Sequence, residues 1–173
     1  MGSVTINWIK SIFTIRVIGM LTTHRISDEL YDDSYSLIAI HSDLEDYAMT
    51  YAINSECGLH LKRMDKDLPL GENLGFAIFD WDDEINDTYW CLIANTCEVE
   101  EPMAVGGLFA SDLSRRTHHL IKEHREVNYF LKVESGDPAT IARTVNSIKA
   151  LEKVKTAYTL EPQNLKSKRN LTF

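Results

Sequence analysis

Residues 35–41 read Tyr-Ser-Leu-Ile-Ala-Ile-His, an apolar run that leaves neither side of an extended chain polar. Successive strand side chains alternate, so Leu37 and Ala39 face one way while Ile38 and Ile40 face the other. A strand apolar on both faces has to be covered on both, which predicts a central strand in a layered fold. Directly behind it, Ser42-Asp-Leu-Glu45 has the form of a capping box, with Ser42 and Glu45 expected to satisfy free amides reciprocally. Leu44, Tyr47, Ala48, Tyr51 and Ala52 then recur at helical spacing, predicting an apolar helix stripe closed by Gly58.

Further along, Leu59 to Arg63 alternates weakly and predicts an edge strand, and Pro69, Gly71 and Gly75 punctuate a loop. Gly75–Phe79 and Thr88–Asn95 predict two strands joined through the polar stretch Asp80–Asp87 as antiparallel partners. Residues 100–116 are irregular, Leu113–His124 is expected to be a short helix, and Val127–Glu134 a strand with Val127, Tyr129, Leu131 and Val133 on one face. Asp137 and Pro138 suit the N-cap and first position of a helix carrying Ile141, Val145, Ile148 and Leu151. Thr156–Leu160 predicts a closing strand. Residues 127–160 therefore form a strand–helix–strand unit with an expected right-handed crossover. The predicted fold class is α+β: a mixed, mostly antiparallel sheet with helices packed on one face, ferredoxin-like in part.

A chain of 173 residues with 44% hydrophobic and 25% charged side chains is one domain's worth and has ordinary globular usage. The stretch Trp8–Leu21 carries Lys10 and Arg16 and is too short and charged to span a bilayer. Residues 1–19 are expected to be an extension outside the fold, with Met20 as an alternative start and residues 20–173 as the single domain. The formal charge of −8 disfavours general nucleic-acid binding and adsorption to an anionic membrane. Three cysteines without a C-x-x-C pair fit reduced thiols, hence a cytoplasmic protein.

No motif announces chemistry. Asp80, Asp82, Asp83, Glu84 and Asp87 crowd five carboxylates into eight residues. An EF-hand loop counted from Asp80 would need Gly and Glu where Ile85 and Cys91 stand, so a solvated hairpin tip is the better reading. His118, His119 and His124 lie near Glu123, yet His119 and His124 would sit roughly 140° apart on a helix, unlike zinc-binding helices. Cys91 and Cys97 would be about 20 Å apart along one strand, and Cys57 would lie at a helix C-terminus that raises a thiol. Gly106-Gly107 lacks the remainder of a phosphate loop, and Lys166, Lys168 and Arg169 read as a solvated basic tail. No metal, cofactor or catalytic residue is assigned.

Residues 121–129 read Ile-Lys-Glu-His-Arg-Glu-Val-Asn-Tyr. This resembles the signature of the IPExxxVDY family, small Bacteroidetes proteins to which no activity is attached. Ile121, Glu123, Val127 and Tyr129 match; Lys122 replaces the family's Pro and Asn128 its Asp. The resemblance runs from about His24 to Phe173. Asn128 carries no charge and cannot serve as a general base or strong cation ligand. The signature is therefore read as structural, with Glu123 expected to end a helix and Val127 and Tyr129 to seat the next strand on one face.

The function expected is a non-enzymatic binding or regulatory module, acting as a homo-oligomer, possible as a homodimer through sheet edges or faces. One alternative is a small-molecule-binding protein or enzyme, with a pocket between sheet and helices using His41, Tyr47, Tyr51 or the acids of 80–87. The other is an RNA- or ribosome-linked accessory, which the acidic charge counts against.

Overall fold

The computed structural model describes residues 35–71, 73–102 and 113–173. The expected extension 1–19, the start at Met20 and the Gly106-Gly107 pair lie outside the described residues. In chain order the elements are β1 (Tyr35–Ser42), α1 (Asp46–Cys57), β2 (Lys62–Arg63), β3 (Leu68–Pro69), β4 (Gly75–Phe76), β5 (Ile78–Asp83), β6 (Thr88–Ala94), β7 (Thr96–Pro102), β8 (Leu113–His119), β9 (Tyr129–Glu134), α2 (Pro138–Ala150) and β10 (Val154–Leu160). Two 3₁₀ turns, Pro162–Asn164 and Lys168–Leu171, follow.

The main sheet has six strands in the order β10-β1-β9-β6-β5-β2, and each neighbouring pair is antiparallel. β1 is central, as its two apolar faces require. Ile38 lies opposite Leu131 of β9 on one side and Thr159 of β10 on the other. Since β9 and β10 both run against β1, they are parallel to one another without touching, and α2 makes the crossover between them. β1 and β6 flank β9 in the same way, with α1 in their connection. The order β10-β1-β9-β6, with two interlocked split strand–helix–strand units, is that of ferredoxin-like α+β folds. β5 and the edge strand β2 widen the sheet beyond it, and β3–β4 and β7–β8 form two separate ribbons.

Each sheet face carries its own core. On one face Ile38, Ile40, Leu92, Leu131 and Val133 pack with Met49 and Ile53 of α1 and Ile141, Val145 and Ile148 of α2. On the other, Leu37, Ala39, Cys91, Ile93 and Phe130 are covered by Leu120, Ile121 and Val127, by Leu165 and Leu171 of the C-terminal turns, and by Leu68 and Phe76. The helices thus sit on one face, and irregular chain seals the other. Each fully buried aliphatic side chain contributes roughly 1.5–3 kcal/mol.

The start of α2 is as expected: the Asp137 carboxylate accepts from the Ala139 and Thr140 amides at 2.9 and 3.0 Å, with Pro138 next. Gly58 ends α1 with φ 70°, a left-handed conformation that glycine adopts without strain. The capping box does not form. Ser42 remains in β1, where its Oγ donates to the Lys153 carbonyl and accepts from the Leu44 amide, and Glu45 caps α1 without a side-chain bond. The stripe of α1 is also displaced: Met49 and Ile53 are buried, whereas Tyr47 and Tyr51 are 68% and 75% exposed. An aromatic body with a polar tip scores as apolar in a periodicity and yet sits comfortably in water.

Leu113–His119 is a strand rather than a helix. It pairs along its whole length with β7, from Pro102↔Leu113 to Thr96↔His119, so a partner elsewhere in the chain overrides local helix preference. Val127 does not share a face with Tyr129: it lies before β9 and packs into the non-helical core, while Tyr129 packs into the helical one. Asn95 imposes this. Fully buried, it donates through Nδ2 to the His124 and Val127 carbonyls and accepts at Oδ1 from the Ile121 amide, all at 2.8 Å. Its backbone adds bonds to Leu120 and Asn128.

Asn95→Ala strands three buried backbone groups, each worth about 1–3 kcal/mol when left unpaired. The expected outcome is a loss of roughly 3–5 kcal/mol in urea denaturation, a large part of the stability of a domain this size.

Candidate functional site

The main-sheet topology brings three chain features to one end. α1 leaves the C-terminal end of β1 and runs back, so its last turn lies beside the start of β1. β9 is antiparallel to β1, so the start of α2 falls at that end too. β6 is parallel to β1, which places the β5–β6 turn there as well. Between them is a cleft of about 640 Å³, lined by Glu56 and Cys57 of α1, His60 behind it, Trp81 and Asp83 of β5, Asn86, Trp90 of β6, and Thr140, Arg143 and Thr144 of α2. Its size is that of small-molecule sites.

Local chemistry holds each wall. Asn54 clamps the chain after α1 by accepting from the Leu61 amide and donating to its carbonyl at 2.9 and 3.0 Å. His60 meets Trp81 edge-on, with ring centroids 5.1 Å apart. Asp83, largely buried, accepts from the Asn86 side chain at 2.6 Å and from the Asn86 amide at 3.3 Å, which closes the turn. At Gly136, before α2, a Cβ would stand 2.8 Å from Val133 Cγ1 and 3.0 Å from Ile141 Cδ1, so only glycine lets α2 approach this closely. Trp90 is 3% exposed, and its indole N–H is buried without a partner.

Asp83, Asp137 and Cys57 at the cleft are committed. Burial, then the Glu56 charge, pushes the Cys57 thiol up to about 11, so it is protonated at neutral pH and a poor nucleophile. Bonds from the Thr140 side chain and amide hold the Asp137 carboxyl below its ordinary value. The remaining thiols, Cys91 and Cys97, are also raised by burial, Cys91 to about 12.

Of the residues singled out from sequence, Cys57, Gly58, Asp83 and Asp137 reach this cleft, and the remaining candidates for chemistry lie elsewhere. Tyr47 packs edge-on against Phe79, and His41 stacks on Tyr158 with Nε2 3.3 Å from the tyrosine oxygen. Asp80 accepts from the Tyr89 hydroxyl at 3.1 Å. His118 and His119 end β8, while His124 lies in the following turn beside Glu126. Among the described residues no three His, Cys, Asp or Glu side chains are grouped to hold a metal ion.

The signature residues take separate positions. Ile121 and Val127 are fully buried in the non-helical core. The Tyr129 hydroxyl donates to the Leu44 carbonyl at 2.5 Å and lies 3.1 Å from Asp46 Oδ1; burial, then Asp46, raises its pKa. Glu123 ends no helix. Its carboxylate accepts from the Ser167 amide and hydroxyl, both at 2.8 Å, and so fastens the C-terminal turns to the turn after β8.

Trp81, Trp90, His60 and Arg143, the side chains that give the cleft its character, were absent from the sequence reading. The Asp137-Pro138 cap marks one wall, but nothing local says that the end of α1 meets it. Comparison with family models, with curated proteins and with solved structures returns no match for this chain.

Burial alone would raise the Glu123 carboxyl, but the Ser167 bonds more than offset it and leave its pKa below 4.5. A depressed carboxyl stabilises the fold above its unfolded pKa and loses that contribution as pH falls through the folded value. Thermal stability should therefore fall as pH drops below about 4.5, and Glu123→Gln should lower it at pH 7 while flattening that acid limb.

Proposed function

We propose that the protein is a binding module, without catalysis of its own, that takes a small polar organic molecule into the cleft at the helix ends. The observation that carries this reading is Trp90. A buried N–H without a partner costs about 1–3 kcal/mol, and a fold rarely keeps one except where something else is served. Trp81 offers a ring face, Thr140, Thr144 and Asn86 offer hydrogen-bonding edges, and Arg143 adds one cation. Binding is favoured over catalysis because Asp83, Asp137 and Cys57 are held by structural bonds or kept neutral.

Trp81 and Trp90 also supply the test. Nucleosides, free amino acids and monosaccharides, titrated separately, should include a class that changes the tryptophan fluorescence and raises Tm. Trp81→Ala and Arg143→Ala should each weaken that response, Arg143→Ala with the unliganded Tm little changed, while Tyr51→Ala on the far side of α1 should not. Equal binding by all three variants, or no response from any class at millimolar concentration, would refute the reading.

Self-association belongs to the same proposal. Among the described residues β10, seven residues long, has no strand on its outer side and gives a second copy an edge to pair with. Light scattering should find a dimer, and a strict monomer at high concentration would remove it. We place the protein in the cytoplasm on its three unpaired thiols, Cys57, Cys91 and Cys97. No helix among the described residues is long and apolar enough to cross a membrane.

We also propose membership of the IPExxxVDY family, with its signature acting through packing. Tyr129→Ala removes a buried ring and its two polar contacts, so Tm should fall sharply, by about 3 kcal/mol or more in stability. Intact stability with some lost activity would place chemistry in the signature instead.

A further inference from the structure

A second cleft, of about 500 Å³, opens on the opposite side of the sheet and shares no residue with the first. The turn between β3 and β4 gives it an apolar wall, Leu70 and Leu74. The end of β8 brings His118 and His119, and Lys122 follows. Lys166 and Arg169 come from the C-terminal turns. The described lining residues thus carry three permanent cations and no carboxylate, in a chain whose net charge is −8.

This arrangement is built rather than left over. Lys166, Lys168 and Arg169 are no trailing tail, because Glu123 grips Ser167 twice and Asn170 Nδ2 donates to the Leu120 carbonyl at 2.7 Å. Leu165 and Leu171 are buried on either side and anchor the segment into the core. The nearest carboxylate of the turn, Glu123, is spent on those amide and hydroxyl bonds. Burial, then the neighbouring Arg125 and His118, lowers the pKa of His119, so its ring is neutral at pH 7 and already senses positive charge. The Nδ1 of that ring is buried and without a partner.

We propose that this cleft is a binding site for a small phosphate-bearing anion. Lys122 and Lys166 face the charge, the His119 ring supplies a hydrogen-bonding nitrogen, and Leu70 and Leu74 take an apolar portion of the ligand. Ammonium and guanidinium groups form their strongest hydrogen bonds with anionic oxygens. The cleft volume suits a small molecule rather than a polymer.

Pyrophosphate is the probe, titrated calorimetrically into the full chain at constant ionic strength. Saturable binding is expected, with a rise in Tm that chloride at the same ionic strength does not give. Lys122 and Lys166 are exposed, so Lys122→Gln with Lys166→Gln should leave the unliganded Tm unchanged. The double variant should weaken binding by roughly tenfold or more. Arg143→Ala, in the other cleft, should bind pyrophosphate as the parent does, which separates this site from the one proposed above. No heat on titration, or undiminished affinity in the double variant, would overturn the proposal. Pelleting with vesicles rich in anionic lipid, or a shift with structured RNA, in the absence of pyrophosphate binding would overturn it equally.

Discussion

β1 gives up both of its hydrogen-bonding edges and both of its faces, and the remaining elements are arranged around that. With β9 on one edge and β10 on the other, both antiparallel to it, the two flanking strands run in the same direction and no tight turn can join them. The chain must cross over, and α2 is that crossing. The same constraint acts between β1 and β6, where α1 stands. Two crossings on one face fill the helical core, and they also bring the last turn of α1 and the first of α2 to one end of the sheet. The candidate cleft is therefore a product of strand order before it is a product of side chains.

The opposite face poses the harder physical problem. Irregular chain exposes amides and carbonyls that regular elements would pair internally, and burying them unpaired is costly. Asn95 resolves much of this by serving three backbone groups of the 120–128 segment at once. With these satisfied, Leu120, Ile121 and Val127 enter the core without a helix to carry them. Glu123 does the same for the C-terminal turns, and the two together explain why a segment without repeating structure holds its place.

Legibility in the sequence followed the range of the governing interaction. β1, the Asp137-Pro138 cap, the stripe of α2 and Gly58 were all readable, since each depends on residues within a few positions of one another. The β5–β6 pairing was readable too, but β5 runs on through Asp80–Asp83, which the acidic composition marks as turn, because β6 supplies a partner for each of them. β8 was not readable: Leu-Ser-Arg-Arg-Thr-His-His has no period of its own and becomes a strand only against β7. Val127 seemed to continue the alternation of β9, but Asn95, 32 residues earlier, bends the chain before it. Tyr47 and Tyr51 misled because hydrophobic scale and burial part company for tyrosine. The side chains that give the cleft its character were invisible for the reason that hid β8: His60, Trp81, Trp90 and Arg143 meet only once the strand order is known.

Charge distribution distinguishes the two clefts and limits what the second can hold. The helix-end cleft mixes Glu56, Asp83 and Asp137 with Arg143, so its selectivity has to come from hydrogen bonding and ring contacts. Lys122, Lys166 and Arg169 act against a background of −8, which repels anions at long range. That background is screened over about 8 Å at physiological ionic strength, so attraction prevails only close to the cations themselves. A small anion fits within that radius. A nucleic-acid strand would extend beyond it, where the net charge of −8 opposes each further phosphate. The three cations thus suit a compact phosphate group, and the net negative charge of the chain counts against a polyanion.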